Sequence, residues 1–288
     1  MFRSERSGVL SGLSRVRQIN LDDPHVFCRA DQLADEVALA MQAVLEAYEL
    51  LGIRIDHLRL SRRGPGDGYL GEAERWVTAE DQLRNVLSSI QHDHPALRVE
   101  EAEGEAAFYG PKIDVQVLDA RQHQETLSTV QLDFNQPVRF GLEYIAADGS
   151  RQPVTMIHRG LLGAMERMVA FLLEITDGWL PLWLAPVQLV LLPVTAGHED
   201  HARRLADRLR RSGLRVRVAP DGTLGNRIRG ARLERNTLIG VIGDEETRSG
   251  SVALQEPATG RREQVSADDL LARLDAAVTG RVQAPYLL

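Results

Sequence analysis

A single cysteine, Cys28, among 288 residues excludes an intramolecular disulfide and fits a reducing compartment, with the cytoplasm as the expected location. No apolar run approaches the roughly 18 residues of a membrane span, so no membrane partner is expected. Met1-Phe2-Arg3-Ser4-Glu5-Arg6 has no apolar core behind it and does not read as a signal peptide. A net charge of −7 lacks the cationic excess that broad, non-specific nucleic-acid binding uses, which leaves room only for a local basic face. The remaining composition, 43% hydrophobic and 26% charged, is that of a globular chain long enough for one large or two ordinary domains.

The most informative stretch runs from Val154 to Arg167. Val154 to Ile157 is a short β-favouring run; it breaks at His158-Arg159-Gly160 and continues with Leu161, Met165, Met168 and Leu172 at helical spacing. Gly160 and Gly163 leave room for a backbone or a ligand to approach. The spacing predicts Arg167 about two turns into the helix, on the face of these glycines. A strand delivering a histidine, a small-residue turn and then an arginine suits an anionic, phosphorylated ligand. The alternative is a buried strand–helix junction with a surface arginine.

Upstream, Leu33, Val37, Met41, Val44, Tyr48 and Leu51 predict an amphipathic helix begun by Asp31 and ended by Gly52. Ile53 to Leu60 alternates as a strand, which puts His57 on the surface, and Arg62 to Gly71 reads as a loop. Thr78 with Asp81 predicts a helix start, the helix running to about Ile90. From Val187 onward strands and helices alternate: strands at 187–194, 214–218, 237–242 and 252–255, helices at 198–211, 224–236 and 267–278. That order predicts a mixed sheet with helices on its faces.

The 154–167 stretch resembles the third signature motif of class II aminoacyl-tRNA synthetases, in the form found in the threonyl-tRNA synthetase family. Phe2-Arg3-Ser4-Glu5, Arg15-Val16-Arg17, Asp22-Asp23-Pro24-His25-Val26-Phe27, Ala107 to Ile113 and Thr129 to Phe134 are similar to further family motifs, in family order. Trp183 to Gln188 resembles the junction into the family's anticodon-binding domain. The resemblance implies an α/β chain in two parts. Residues 1–184 would be the α+β catalytic core, an antiparallel sheet flanked by helices, and 185–288 an α/β anticodon-binding domain. The chain begins inside the second signature motif, as a truncated or divergent paralog would. The first motif and the family's N-terminal and editing domains have no counterpart, so unpaired strand edges and exposed apolar surface are expected.

By the same resemblance Arg3 and Arg167 are the catalytic cations. Arg3, Glu5, Arg15, Ile19, Gln131 and Arg167 form the ATP site, with Ile19 where the family stacks a phenylalanine on adenine. Asp23, Tyr109, Lys112 and Ala164 would meet the amino acid. His25 and His158 match two zinc ligands; the family's third, a cysteine upstream, is missing, and Cys28 is expected on the opposite strand face from His25. Leu21, Thr126-Leu127-Ser128 and Ala164 stand where the family has polar pocket residues, and Asp221 and Gln255 where it contacts anticodon bases. Arginines on two helices (Arg203, Arg204, Arg208, Arg210 and Arg211; Arg227, Arg229, Arg232 and Arg235) are candidates for phosphate contacts. The implied function is ATP- and Mg²⁺-dependent amino-acid activation and tRNA aminoacylation, altered or lost where the pocket departs, with Zn²⁺ as a further candidate cofactor. The alternative is a non-catalytic paralog that binds nucleotide, tRNA or a partner synthetase. A homodimer or a partner synthetase is the expected assembly.

Overall fold

A computed structural model describes residues 1–283, in two compact units, Met1–Ile175 and from Thr176 onward. In the first unit the order is β1 (His25–Cys28), α1 (Leu33–Leu51), β2 (Ile55–Arg62), α2 (Ala73–Asp93), β3 (Arg98–Glu103), β4 (Lys112–Leu118) and β5 (Gln124–Asp133). Then follow α3 (Gln136–Arg139), the small hairpin β6 (Glu143–Ile145) and β7 (Arg151–Pro153), β8 (Thr155–Gly160) and α4 (Met165–Ile175). Six strands form one sheet in the order β1-β8-β5-β4-β2-β3, antiparallel except for β2 with β3. β1 is an edge strand, and its Phe27 is 55% exposed.

Period-2 alternation divides this sheet into two chemically different faces. Leu58, Leu60, Ile113, Val115, Val117, Val130, Leu132 and Ile157 are buried on one face. They meet the apolar stripes of α1 (Leu33, Val37, Met41, Val44, Tyr48) and α2 (Trp76, Ala79, Leu83, Val86, Leu87, Ile90). Cys28 is buried on this side, opposite the exposed His25, as alternation requires. The other face carries a polar row whose members are cross-strand partners: His25–His158–Gln131–Lys112–Ser61. A second row, Gly160–Thr129–Asp114–Arg59, lies beside it. Polar groups aligned across five strands of an internal sheet face need ligands or each other.

Several local expectations are corrected. The first helix is preceded by a 3₁₀ turn, Ala30–Gln32, and Asp31 pairs with Arg29 instead of capping; Gly52 ends the helix in the left-handed region as expected. The second helix starts at Ala73, five residues before Thr78, whose hydroxyl donates to the Glu74 carbonyl, while Asp81 pairs with Arg84. The capping signature is therefore mid-helix, where Ser or Thr back-bonding is common. His57 is buried, not on the surface: β2 lies between β3 and β4, and Asp56 and Glu100 provide acceptors at 2.7 and 3.6 Å from its ring nitrogens. Arg167 lies in the first turn of α4, since Leu161 to Ala164 do not join the helix.

The second unit runs β9 (Leu189–Pro193), α5 (Glu199–Arg211), β10 (Val216–Val218), α6 (Leu224–Leu233), β11 (Leu238–Ile242), α7 (Asp244–Ser249), β12 (Ser251–Glu256), β13 (Arg261–Ser266) and α8 (Ala267–Thr279). Its mixed sheet has the order β10-β9-β11-β12-β13, parallel through the first three strands and antiparallel beyond. α7 and β13 have no clear period in the sequence. Apolar clusters cover both faces of β9 and β11, which is why these strands read as continuous hydrophobic runs. Among the described residues no helix is long and apolar enough to cross a membrane.

Candidate active site

The polar face of the first unit becomes a cavity because the N-terminal segment folds over it. Residues 1–3 run antiparallel to 17–19, with Ile19 N–H donating to the Met1 carbonyl and Arg3 N–H to the Arg17 carbonyl. The returning chain is tied to the turn before α4. The Asp22 carboxylate accepts from Leu162 N–H, Asp22 N–H donates to the Gly163 carbonyl, and Glu166 accepts from the Asn20 backbone and side chain. Gly163 permits this closeness: its φ is +63°, and a Cβ would lie 2.4 Å from the Leu127 carbonyl oxygen.

The resulting cavity, ≈ 270 Å³, is lined by Arg3, Glu5, Arg15, Ile19, Lys112, Gln131, Ala164 and Arg167, together with Leu21, Asp114, Leu127 and Thr129. Every residue expected at the ATP site, with Lys112 and Ala164, therefore meets in one place, although Arg3 and Arg167 come from opposite ends of the unit. Arg15 is held by Glu5 at 3.1 Å. Neither Arg3 nor Arg167 makes an ion pair among the described residues; Arg167 donates to the Ser14 carbonyl at 3.4 Å. Two guanidinium groups without counter-ions facing one cavity form an anion site, because forked donors match phosphate and carboxylate oxygens. A larger surface cleft, ≈ 850 Å³ between α1 and α2, is lined by Asp35, Leu39, Asn85, Ile90 and Asp93 among others and brings no arginine or lysine together.

Asp23, Tyr109, His25 and His158 form an adjoining cluster. The Tyr109 hydroxyl donates to Gln131 Oε1 at 2.6 Å and so joins it to the cavity. Burial first, then the carboxylates of Asp133 and Asp23, push the Tyr109 phenol up, so it stays a neutral donor. His158 Nε2 meets the buried Asp133 carboxylate at 2.8 Å, and the His25 ring stands edge-on to the His158 ring with centroids 4.3 Å apart. Asp23, His25 and His158 present one ligand atom each, all within 4.8 Å of one another. This set fits a divalent ion: it supplies three protein donors, and a buried carboxylate orients one histidine from behind. Sequence alone pairs only the two histidines and, by resemblance, gives the Asp23 carboxylate to the substrate; the structure sets that carboxylate within reach of both histidines.

Sequence alone misses Asp114. Its side chain is 1% exposed and its Oδ2 accepts from Ser61 at 2.7 Å, Arg59 at 3.0 Å and Lys112 at 2.5 Å. The available signal is the alternation Lys112-Ile113-Asp114-Val115-Gln116-Val117, a polar face on an otherwise buried strand. Burial alone would raise the Asp114 carboxyl, but Lys112, Ser61 and Arg59 together outweigh it and hold the group below the ordinary range. A carboxyl lowered by folding adds stability that is complete above its unfolded pKa of about 3.9 and disappears as pH falls through the folded value. Asp114→Asn is therefore expected to flatten the acid limb of Tm against pH below about pH 4; an unchanged limb would contradict the ion pair.

In the second unit the basic helices divide. Arg203, Arg208 and Arg210 pair with Glu199, Asp268 and Asp207, and Arg235 pairs with Asp177 and lies over the Trp179 ring. Arg227 binds the Pro193 and Ala219 carbonyls. Those five serve the unit's own structure; Arg204, Arg211, Arg229 and Arg232 have no ion pair among the described residues.

Comparison with known proteins finds a separate family match in each of the two units. Residues 1–176 match the tRNA synthetase class II core domain (G, H, P, S and T), and residues 188–276 match an anticodon binding domain. The threonine–tRNA ligase of Bacillus velezensis is 43% identical over 275 residues, 94% of this chain and 42% of the relative. Threonine–tRNA ligase 1 of Bacillus subtilis is 44% identical over the same share. The chain thus spans less than half the length of these curated relatives. Among solved structures, the RNA binding domain of threonyl-tRNA synthetase from Cryptosporidium parvum superposes with a TM-score of 0.86 at 34% identity, covering 96% of this chain and 68% of that one. A putative threonyl-tRNA synthetase from Aeropyrum pernix gives 0.82 at 28% identity, covering 99% and 69%. The chain belongs to the class II aminoacyl-tRNA synthetases, in their threonyl-tRNA synthetase family, with a catalytic-core domain followed by an anticodon-binding domain.

Proposed function

We propose that this chain activates an amino acid with ATP and passes the acyl group to tRNA, the second unit contacting the tRNA. The observation that carries the reading is the convergence of Arg3, Arg15 and Arg167 on one cavity, two of them without a counter-ion among the described residues. In the adenylation step a carboxylate oxygen of the amino acid attacks the α-phosphorus in line, the bond to the β-phosphate oxygen breaks, and pyrophosphate leaves. Proton transfer is not needed, so the protein acts by positioning and by stabilising charge. Arg3 and Arg167 meet the phosphate oxygens, Arg15 is held by Glu5, and Gln131 and Lys112 orient the carboxylate. Tyr109 receives the substrate ammonium; Mg²⁺ accompanies the nucleotide.

Threonine, the amino acid for which the relatives are named, is the first candidate. Leu21, Leu127 and Ala164 line this cavity as apolar groups and weaken discrimination by hydrogen bonding. Amino-acid-dependent ATP–pyrophosphate exchange on the purified chain tests the reading. Exchange with threonine, or with another amino acid, supports it and names the substrate. No exchange with any of the twenty leaves a binding paralog instead.

Asp23, His25 and His158 would hold a divalent ion, which when bound supplies a Lewis-acid contact for a substrate amine or hydroxyl. Stoichiometric Co²⁺ titration, followed by d–d absorption, is expected to saturate at one ion per chain without a thiolate charge-transfer band. Asp133→Asn is expected to weaken it about 10- to 100-fold. A titration unaffected by His158→Asn would remove the metal from this site.

A further inference from the structure

Lys112 is the only lysine in the chain: every other residue among the 34 lysines and arginines is an arginine. This one ammonium sits on the cavity floor, 17% exposed, in the row between Gln131 and Ser61. Beneath it lies Asp114, a buried carboxylate that with Glu5 and Glu166 stands among the arginines of the cavity. Such a group repels an anionic ligand, so its presence needs a compensating role. Ser61 and Arg59, both on β2, bind Asp114 Oδ2 from the side away from β5, while Lys112 binds the same oxygen. Arg59 does not line the cavity; Lys112 does. Arg59 has a second carboxylate, Glu105, at 4.0 Å, so of the two cations on Asp114 it is the Lys112 ammonium that faces the cavity. An ammonium has three donors and spends one on Asp114, whereas a guanidinium fork would lie flat against the carboxylate and spend two.

We propose that Asp114 is a positioning residue: clamped by Arg59 and Ser61, it fixes the Lys112 ammonium so that its remaining N–H donors meet the ligand oxygens where the amino-acid carboxylate joins the α-phosphate. This role rests on the adenylation reading and adds to it a residue that touches no substrate.

Two measurements test it. The first is the affinity of a non-reactive threonyl sulfamoyl-adenosine for the full chain, Asp114→Asn, Lys112→Met and the double variant. Each single change is expected to weaken binding about 10- to 100-fold, and the double variant no more than Lys112→Met alone, because Asp114 acts only through the lysine. Ser61→Ala, which loosens the clamp without altering charge, is expected to weaken binding about threefold and guards against a misfolded Asp114→Asn; melting curves check both. The second uses the unique lysine: acetylation by an amine-selective reagent, read by intact mass, marks only Lys112 and the N-terminal amine. Lys112 is expected to react slowly in the parent and at least tenfold faster in Asp114→Asn, with no ligand present. Additive losses in the double variant, or equal acetylation rates, overturn the proposal. If the parent binds neither the analogue nor ATP, the adenylation reading fails, and the acetylation rates still decide whether Asp114 holds the lysine.

Discussion

Arg167→Ala is expected to lower amino-acid-dependent ATP–pyrophosphate exchange by about 10²- to 10³-fold, as removal of one preorganised donor to developing charge does elsewhere. Arg167 gives a cleaner test than Arg15 because no carboxylate among the described residues pairs with its charge. Glu5 already binds Arg15, so Arg15→Ala also frees a carboxylate in the cavity and mixes two effects. Arg167 stands in the first turn of α4, and its hydrogen bond to the Ser14 carbonyl is a long one of 3.4 Å. Truncation therefore leaves no buried partner stranded, and the melting temperature should move by less than about 2 °C, as for a surface substitution. Loss of exchange at unchanged Tm is the expected pair of results. Exchange within threefold of the parent would exclude Arg167 from the reaction, and with it the three-arginine anion site.

The largest expected stability effect belongs to a glycine. A Cβ built on Gly110 would stand 2.0 Å from the Leu132 carbonyl oxygen and 2.8 Å from its carbon, both backbone atoms that no side-chain rotation can move aside. The chain around Gly110 extends the ladder beside β5: Leu132 N–H donates to the Pro111 carbonyl and Phe134 N–H to the Tyr109 carbonyl. Gly110→Ala must push these segments apart. It is expected to destabilise the first unit by about 3 kcal/mol, from overpacking with added loss of two backbone hydrogen bonds. The Tyr109–Gln131 contact goes with them, so ligand affinity should fall as well. Gly230 provides the control: it lies inside α6 with nothing within 4 Å of where a methyl would stand, so Gly230→Ala is expected to stabilise by about 0.5–1 kcal/mol. Denaturant unfolding of both variants reads the two signs; a Gly110→Ala midpoint equal to that of the parent would mean the backbone there yields freely.

Residues far apart in sequence are legible where a local pattern also carries chemistry. Arg3-x-Glu5, the Asp-Asp-Pro-His run and the strand–turn–Arg of 154–167 mark the site without any knowledge of the fold. The apolar stripe of α1 and the βαβ order of the second unit are equally readable, because burial on one face imposes a period. Helix starts are not. Asp31 and Thr78 have the chemistry of caps, yet a 3₁₀ turn and an earlier start at Ala73 win, because packing of Leu33 and Trp76 onto the sheet outweighs a cap of about 1 kcal/mol.

The sequence by itself determined which residues bear charge, which strands hide both faces, and the family to which the motifs point. Tertiary structure alone decided which side chains share a row. Asp114 reads as one polar residue in a strand until β2 brings Arg59 and Ser61 to the same oxygen as Lys112. Asp23 stands in the sequence as a substrate ligand by resemblance; the pairing of β1 with β8 is what sets two histidines beside it. The physical reason is that cross-strand neighbours are fixed by register, a long-range property set by pairing and closure of the whole sheet, which no short window of sequence contains.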